Sequence, residues 1–166
     1  MKRLALSILA FLFVTQVSAQ SPLPKGSKQL NAGVGLSGWG VPIYVGMDFG
    51  VHPDISVGGE LSFRSYKRKY FGETYKHNIT GLAANANYHF NRVLSIPSNW
   101  DLYAGLNLGF YLWNSSDDFD GDDESGLNLG AQVGGRYYFT PKFGVNLEFG
   151  GGNAFSGGKL GISVKL

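Results

Sequence analysis

Apolar and polar residues alternate singly along most of the chain, and the alternation falls into eight stretches. Leu30, Ala32, Val34 and Leu36 alternate with Asn31, Gly33, Gly35 and Ser37. Ile43, Val45, Met47, Phe49 and Val51 alternate with Tyr44, Gly46, Asp48, Gly50 and His52. The same period of two runs through 55–64, 81–90, 102–112, 127–139, 143–150 and 160–166. Successive side chains of a strand point to opposite faces, so each stretch predicts a β-strand with one apolar and one polar face. Lengths of about 8–10 residues suit strands that cross a membrane at a tilt.

The connections are of two kinds. His52-Pro53-Asp54 and Thr140-Pro141-Lys142 are tight turns, in which proline fixes φ and aspartate tolerates turn geometry. Asn91 to Asn99 is a longer turn on the same side. Gly38-Trp39-Gly40, Ser65 to His77, Asn114 to Ser125 and Gly151 to Gly158 read as loops on the other side. Short turns at one end and longer polar loops at the other predict an all-β fold, an eight-stranded antiparallel up-and-down transmembrane β-barrel with its short turns in the periplasm.

The first residues stand outside that pattern. Lys2 and Arg3 precede an apolar run from Leu4 to Val14, and Val17-Ser18-Ala19 offers small residues for cleavage. This is the layout of a secretory signal peptide. The expected organisation is a signal peptide over 1–19, a short N-terminal linker over 20–28 and a barrel over 29–166. No later stretch reaches the ~18 apolar residues of a membrane helix.

Charge changes the picture in one respect. Without Lys2 and Arg3 the chain has 12 basic and 12 acidic residues, so the net charge of +2 vanishes on cleavage and nothing argues for nucleic acid. Charged residues are only 16% of the chain, below the ~25–35% of a soluble surface. There is no cysteine, hence no disulfide framework and no thiolate metal site.

Alternation alone does not say which face meets lipid, and a soluble lipocalin-like barrel would place the apolar set inside. Two features favour the membrane. The polar set is mostly Gly, Asn and Ser, which suits a narrow lumen better than a solvated surface. Aromatic residues of the apolar set also cluster near strand ends. Phe49, Tyr88, Phe90, Trp100, Tyr137, Phe139 and Phe143 form one predicted girdle at the periplasmic side, and Phe63, Phe110 and Phe149 lie near the other ends. Val, Leu and Ala fill the middle, the arrangement that membrane interfaces select.

The last eight residues, Lys159-Leu160-Gly161-Ile162-Ser163-Val164-Lys165-Leu166, resemble the C-terminal assembly signal of outer-membrane proteins, through Lys159, Gly161, Val164 and Leu166. That resemblance implies the barrel-assembly machinery as a partner. The family usually ends in an aromatic, where this chain has Leu166. The whole barrel region resembles small OmpA/OmpX-type barrels of the outer membrane protein beta-barrel group, and Ala19-Gln20 is similar to cleavage sites common in Bacteroidetes. The resemblance implies the cell outer membrane, a monomer and contact with outer-membrane lipid. It contains no active-site motif, and fold alone does not fix function.

The candidate chemistry is sparse. Gly33-Val34-Gly35-Leu36-Ser37-Gly38 matches G-x-G-x-x-G but sits in a strand with no following helix, which removes the dinucleotide reading. Asn78-Ile79-Thr80 and Asn114-Ser115-Ser116 match a glycosylation sequon that has no role in a bacterium. His52, His77 and His89 show no Ser and carboxylate spaced like a triad, so no enzyme is expected, although small barrels that resemble this one include lipid A acyltransferases and deacylases. The inward set holds Asp48, Glu60, Arg64, Arg136, Glu148 and Lys165, which predict an internal ion-pair network plugging the lumen rather than a selective pore. Arg136 is expected to pair with Glu148, Asp48 or Glu60. Six acids crowd one loop (Asp117, Asp118, Asp120, Asp122, Asp123, Glu124), next along the same rim from a basic loop with Lys67, Arg68, Lys69 and Lys76. Asp118, Asp120, Asp122 and Glu124 are candidate ligands for weakly bound Ca²⁺, although Gly121 is misplaced for a calcium loop. These features point to a structural or surface-interaction role. The alternatives are an adhesin or ligand-binding barrel acting through its outer loops, and a barrel that handles small solutes or lipid.

Overall fold

Period-two patterning becomes eight strands: β1 (Lys28–Leu36), β2 (Ile43–His52), β3 (Ile55–Tyr70), β4 (Glu73–His89), β5 (Trp100–Ser115), β6 (Gly126–Tyr138), β7 (Phe143–Gly152) and β8 (Ser156–Lys165). The computed structural model describes residues 21–37, 40–70, 73–115, 125–153 and 156–166. The predicted signal peptide and the acidic loop, Asp118, Asp120, Asp122 and Glu124 included, lie outside the described residues. Each strand pairs antiparallel with its sequence neighbours, and β1 pairs with β8, from Gln29↔Lys165 to Leu36↔Gly158, to close the barrel. Closure leaves no edge strand, so the ladder satisfies its own backbone hydrogen bonds, as a chain in lipid requires.

The barrel is apolar outside. Leu106, Leu127, Leu129, Leu160 and Leu82 are all exposed, Leu106 and Leu129 at 63%. Gln29, Asp48, Asn87, Asp101, Arg136 and Ser163 are buried inside. A lipocalin-like barrel would show the reverse.

Expected and observed boundaries part at the outer end. Ser65 to His77 read as a loop, yet β3 and β4 continue their ladder through Lys67↔Lys76 to Tyr70↔Glu73. The strand β5 runs to Ser115, and β7 and β8 take up parts of the 151–158 segment. Apolar alternation marks only the lipid-covered part of a strand. Beyond it a hairpin needs only a partner for its backbone groups, and polar residues pair as well there.

At the other end the turns are tied together. Arg92 Nη1 lies 3.0 Å from Asp54 Oδ2, linking the β4–β5 and β2–β3 turns. Residues 21–27 fold back against β2: Gly26 N–H donates to the Gly50 carbonyl (2.7 Å), Gly50 N–H donates to Ser27 (3.0 Å), and Leu23 is buried. A Cβ on Gly50 would lie 2.2 Å from the Pro24 carbonyl oxygen, so only glycine admits this segment.

Candidate functional site in the barrel lumen

Inward residues of facing strands form two ion clusters, one above the other. In the lower cluster Arg136 on β6 spans the lumen. Its Nη2 lies 2.8 Å from Asp48 Oδ2 on β2, and its Nη1 lies 2.8 Å from Asp101 Oδ2 on β5. The guanidinium also stacks 4.2 Å from the centre of the Tyr103 ring. Asn31 and Asn85 donate to Asp48 (2.9 and 3.4 Å). Such a planar fork suits two carboxylates at once, and the added donors offset part of the cost of burying them.

Asp101 carries a further chain. His89 Nδ1 lies 2.7 Å from Asp101 Oδ1, and His89 Nε2 lies 2.9 Å from Ser56 Oγ. This corrects the expectation that no histidine has Ser and carboxylate partners, because strand pairing brings together residues 33 and 12 positions apart in sequence. All three are buried, with Ser56 and Asp101 at 0% and His89 at 1%. Closed off from solvent in this way, the three side chains satisfy one another's buried polar groups.

The upper cluster centres on Lys159 of β8. Its Nζ lies 2.8 Å from Glu60 and 3.0 Å from Glu148. The Tyr103 hydroxyl donates to Glu148 (2.9 Å), which joins the clusters. Around them run neutral chains. Gln132 donates to Asn87 (2.7 Å) and Asn107 donates to Gln132 (2.9 Å). Tyr44 donates to Asn146 (2.8 Å), and Tyr138 donates to Gln29. Against the upper cluster lies an open cavity of about 810 Å³, mouth included, lined by Lys159 and Glu60 and by Tyr44, Arg64, Tyr111 and Asn128.

The six predicted lumen charges stand at several heights. Arg136 with Asp48, and Glu60 with Glu148, divide between the two clusters. Arg64 stands higher and donates to Ser37 Oγ (3.1 Å), and Lys165 lies 3.7 Å from the centre of the Tyr138 ring near the lower end. Arg136 and Glu148 are diagonal neighbours (Arg136↔Asn146, Gly134↔Glu148), but Glu148 turns to Lys159 and Tyr103. Sequence reading left Asp101 and Lys159 out of the inward charges and put His89 on the polar face without its partners. Parity could have found the two charges, since Asp101 shares a face with Tyr103, and Lys159 with Gly161.

Glycine makes room for these side chains. A Cβ on Gly134 would lie 2.4 Å from the Tyr103 ring. Gly134→Val is expected to cost about 1–3 kcal/mol through overpacking. Urea unfolding in detergent checks this, and an unchanged midpoint would deny the close approach.

On the outer wall the predicted girdle residues form contacts at the turn end. Trp100 and Tyr137 are cross-strand partners with ring centres 4.8 Å apart, and Tyr137–Phe139 and Tyr88–Phe90 follow at 5.2 Å. Phe49 and Phe143 are exposed on the same face. Of the predicted assembly-signal residues, Leu166 faces outward and donates its N–H to Lys28 (2.9 Å). Val164 pairs with Leu30 and Phe143, and Gly161 faces the Tyr44 hydroxyl inside.

The family model described as "Outer membrane protein beta-barrel domain" matches residues 7–164. The chain belongs to this outer membrane β-barrel family. Its place is the cell outer membrane, with the apolar wall toward lipid. Solved barrels share the fold. The OprF N-terminal barrel of Pseudomonas aeruginosa superposes with a TM-score of 0.59 at 16% identity, covering 86% of this chain and 98% of that one. OprG of the same species gives 0.65 at 8% identity, covering 87% and 97%. Neisserial surface protein A gives 0.55 at 15% identity, covering 84% and 94%. No curated protein matches the chain.

Proposed function

We propose that this outer-membrane barrel is a plugged, non-enzymatic scaffold with a structural or surface-interaction role, working through the parts that rise above the lipid. The observation that carries this reading is Arg136, held across the lumen between Asp48 and Asp101 at 2.8 Å each. An eight-stranded interior is just wide enough for side chains to fill, and breaking a buried ion pair is costly. The surface role rests on strand length. The strands β3, β4 and β5 have 16, 17 and 16 residues, against 9 and 10 in β1 and β2. Their extra turnless length extends one side of the barrel beyond the membrane. The barrel-assembly machinery remains the proposed partner in biogenesis, and the barrel is proposed to act as a monomer.

Planar-bilayer recording tests the plug. Purified monomer is expected to give no stable single-channel currents, and reproducible unitary steps would overturn the reading. The acidic loop is proposed to bind Ca²⁺ at roughly millimolar affinity, as extracellular modules do. Calorimetric titration in detergent should show heat that disappears when the six acids become Asn and Gln. Heat that survives those substitutions would remove this site.

A further inference from the structure

The open cavity against the upper cluster has a charge pattern that its own residues leave incomplete. Two carboxylates, Glu60 and Glu148, and two cations, Lys159 and Arg64, line it. They are not evenly mixed. Lys159 sits between both carboxylates, 2.8 Å from Glu60 Oε2 and 3.0 Å from Glu148 Oε1, so that end carries one excess negative charge. The second oxygen of Glu148 accepts from Tyr103 (2.9 Å). The second oxygen of Glu60 accepts from no described residue. A partly buried carboxylate oxygen without a protein donor is costly unless something from outside supplies one. Arg64 stands four residues further along β3 on the same inward face, about 13 Å away at the backbone, and donates to Ser37 Oγ just past the end of β1.

We propose that this cavity binds a short peptide of two to four residues with both ends free, its ammonium on Glu60 and its carboxylate on Arg64. Charge selects the ligand. The cavity walls hold two charges of each sign, so a molecule with no net charge and two charged ends fits better than a lone cation or anion. The negative end offers an ammonium the unused Glu60 oxygen, and a guanidinium suits a carboxylate through paired donors. Length selects it further. An extended chain advances about 3.3–3.6 Å per residue, so a single amino acid is too short to reach both ends. Tyr44 and Tyr111 line the same cavity and offer ring faces to the peptide's apolar atoms. The volume of about 810 Å³, mouth included, falls among small-ligand sites of about 300–1,000 Å³. With Arg136 held across the lumen by Asp48 and Asp101, the peptide is retained and not passed. Only this last step rests on the plugged reading.

The test uses the full mature barrel in a polyoxyethylene detergent, which carries neither charge nor sugar, and reads binding by saturation-transfer NMR. The probes are trialanine, acetyl-trialanine, trialanine amide and glucose. Trialanine is expected to bind, and blocking either end should weaken binding about tenfold. Glu60→Gln should remove the preference for a free amino end and keep that for a free carboxylate, and Arg64→Gln should do the reverse. Ala83 lines the cavity, so Ala83→Phe should abolish binding. Ala84→Phe puts the same ring on the lipid-facing side of the same strand and should leave binding unchanged. A shift of the unheated band on electrophoresis certifies that each variant is folded. No transfer from trialanine to the parent, equal binding of the three peptides, or binding that survives in folded Ala83→Phe would overturn the proposal. So would glucose binding as tightly as trialanine, since the cavity would then read hydroxyls and not charged ends. Binding in detergent does not depend on the plug, so channel currents would remove the plugged reading and leave this result standing.

Discussion

Leu106→Arg is expected to destabilise the barrel by about 2–4 kcal/mol, because it places a charge near the middle of the lipid-facing band. Leu106 is 63% exposed and sits between Ala86 and Ala131 on the outer wall. Its neighbour Asn107 faces the lumen and donates to Gln132 (2.9 Å). Asn107→Arg enters a polar interior and should act differently. It disturbs the amide chain but leaves the lipid face intact. Folding yield into phospholipid vesicles and urea midpoints for the two variants check this. Equal losses would mean that the two faces are not distinct solvents.

The second large effect lies in the lumen. Arg136→Leu removes the guanidinium held between Asp48 and Asp101 and leaves both carboxylates buried. Stranding buried charge costs about 3–5 kcal/mol, far more than the net worth of the intact pair. Asp48→Asn/Asp101→Asn in the same background removes the stranded charge and should restore much of the loss. A double-mutant cycle on urea unfolding reads the coupling. Additive behaviour across Asp48, Asp101 and Arg136 would show that the three do not act as one unit.

The fold was legible because lipid on one side and a narrow lumen on the other impose period two along the strands, broken at the end of β2 by a shift of register between Gly50 and His52. From Leu102 to Leu112, every even residue faces out and every odd one faces in, and no propensity argument is needed. The sequence was less informative where that constraint ends. Residues 65–77 lost apolar alternation and read as a loop, although their ladder continues to Tyr70↔Glu73. The site was half legible. Parity placed Asp48, Glu60, Arg136 and Glu148 inside, but partners depend on stagger around the closed barrel, which no single strand encodes. Arg136 meets Asp48 across 88 residues, and Lys159 meets Glu60 across 99. Lys159 was read as part of an assembly signal because it lies in the last eight residues. Asp101 was overlooked because it stands at a strand end, and His89, although on the polar face, was left without partners for the same reason. Both positions are nonetheless buried, Asp101 at 0% and His89 at 1% exposure.

Electrophoresis of the purified protein without and with boiling tests the central claim most directly. A closed ladder of eight strands in detergent resists unfolding at room temperature, so the unheated barrel is expected to migrate apart from the boiled chain. The same mobility before and after boiling, with the protein remaining in solution after detergent is removed, would contradict a membrane barrel with its leucines facing lipid.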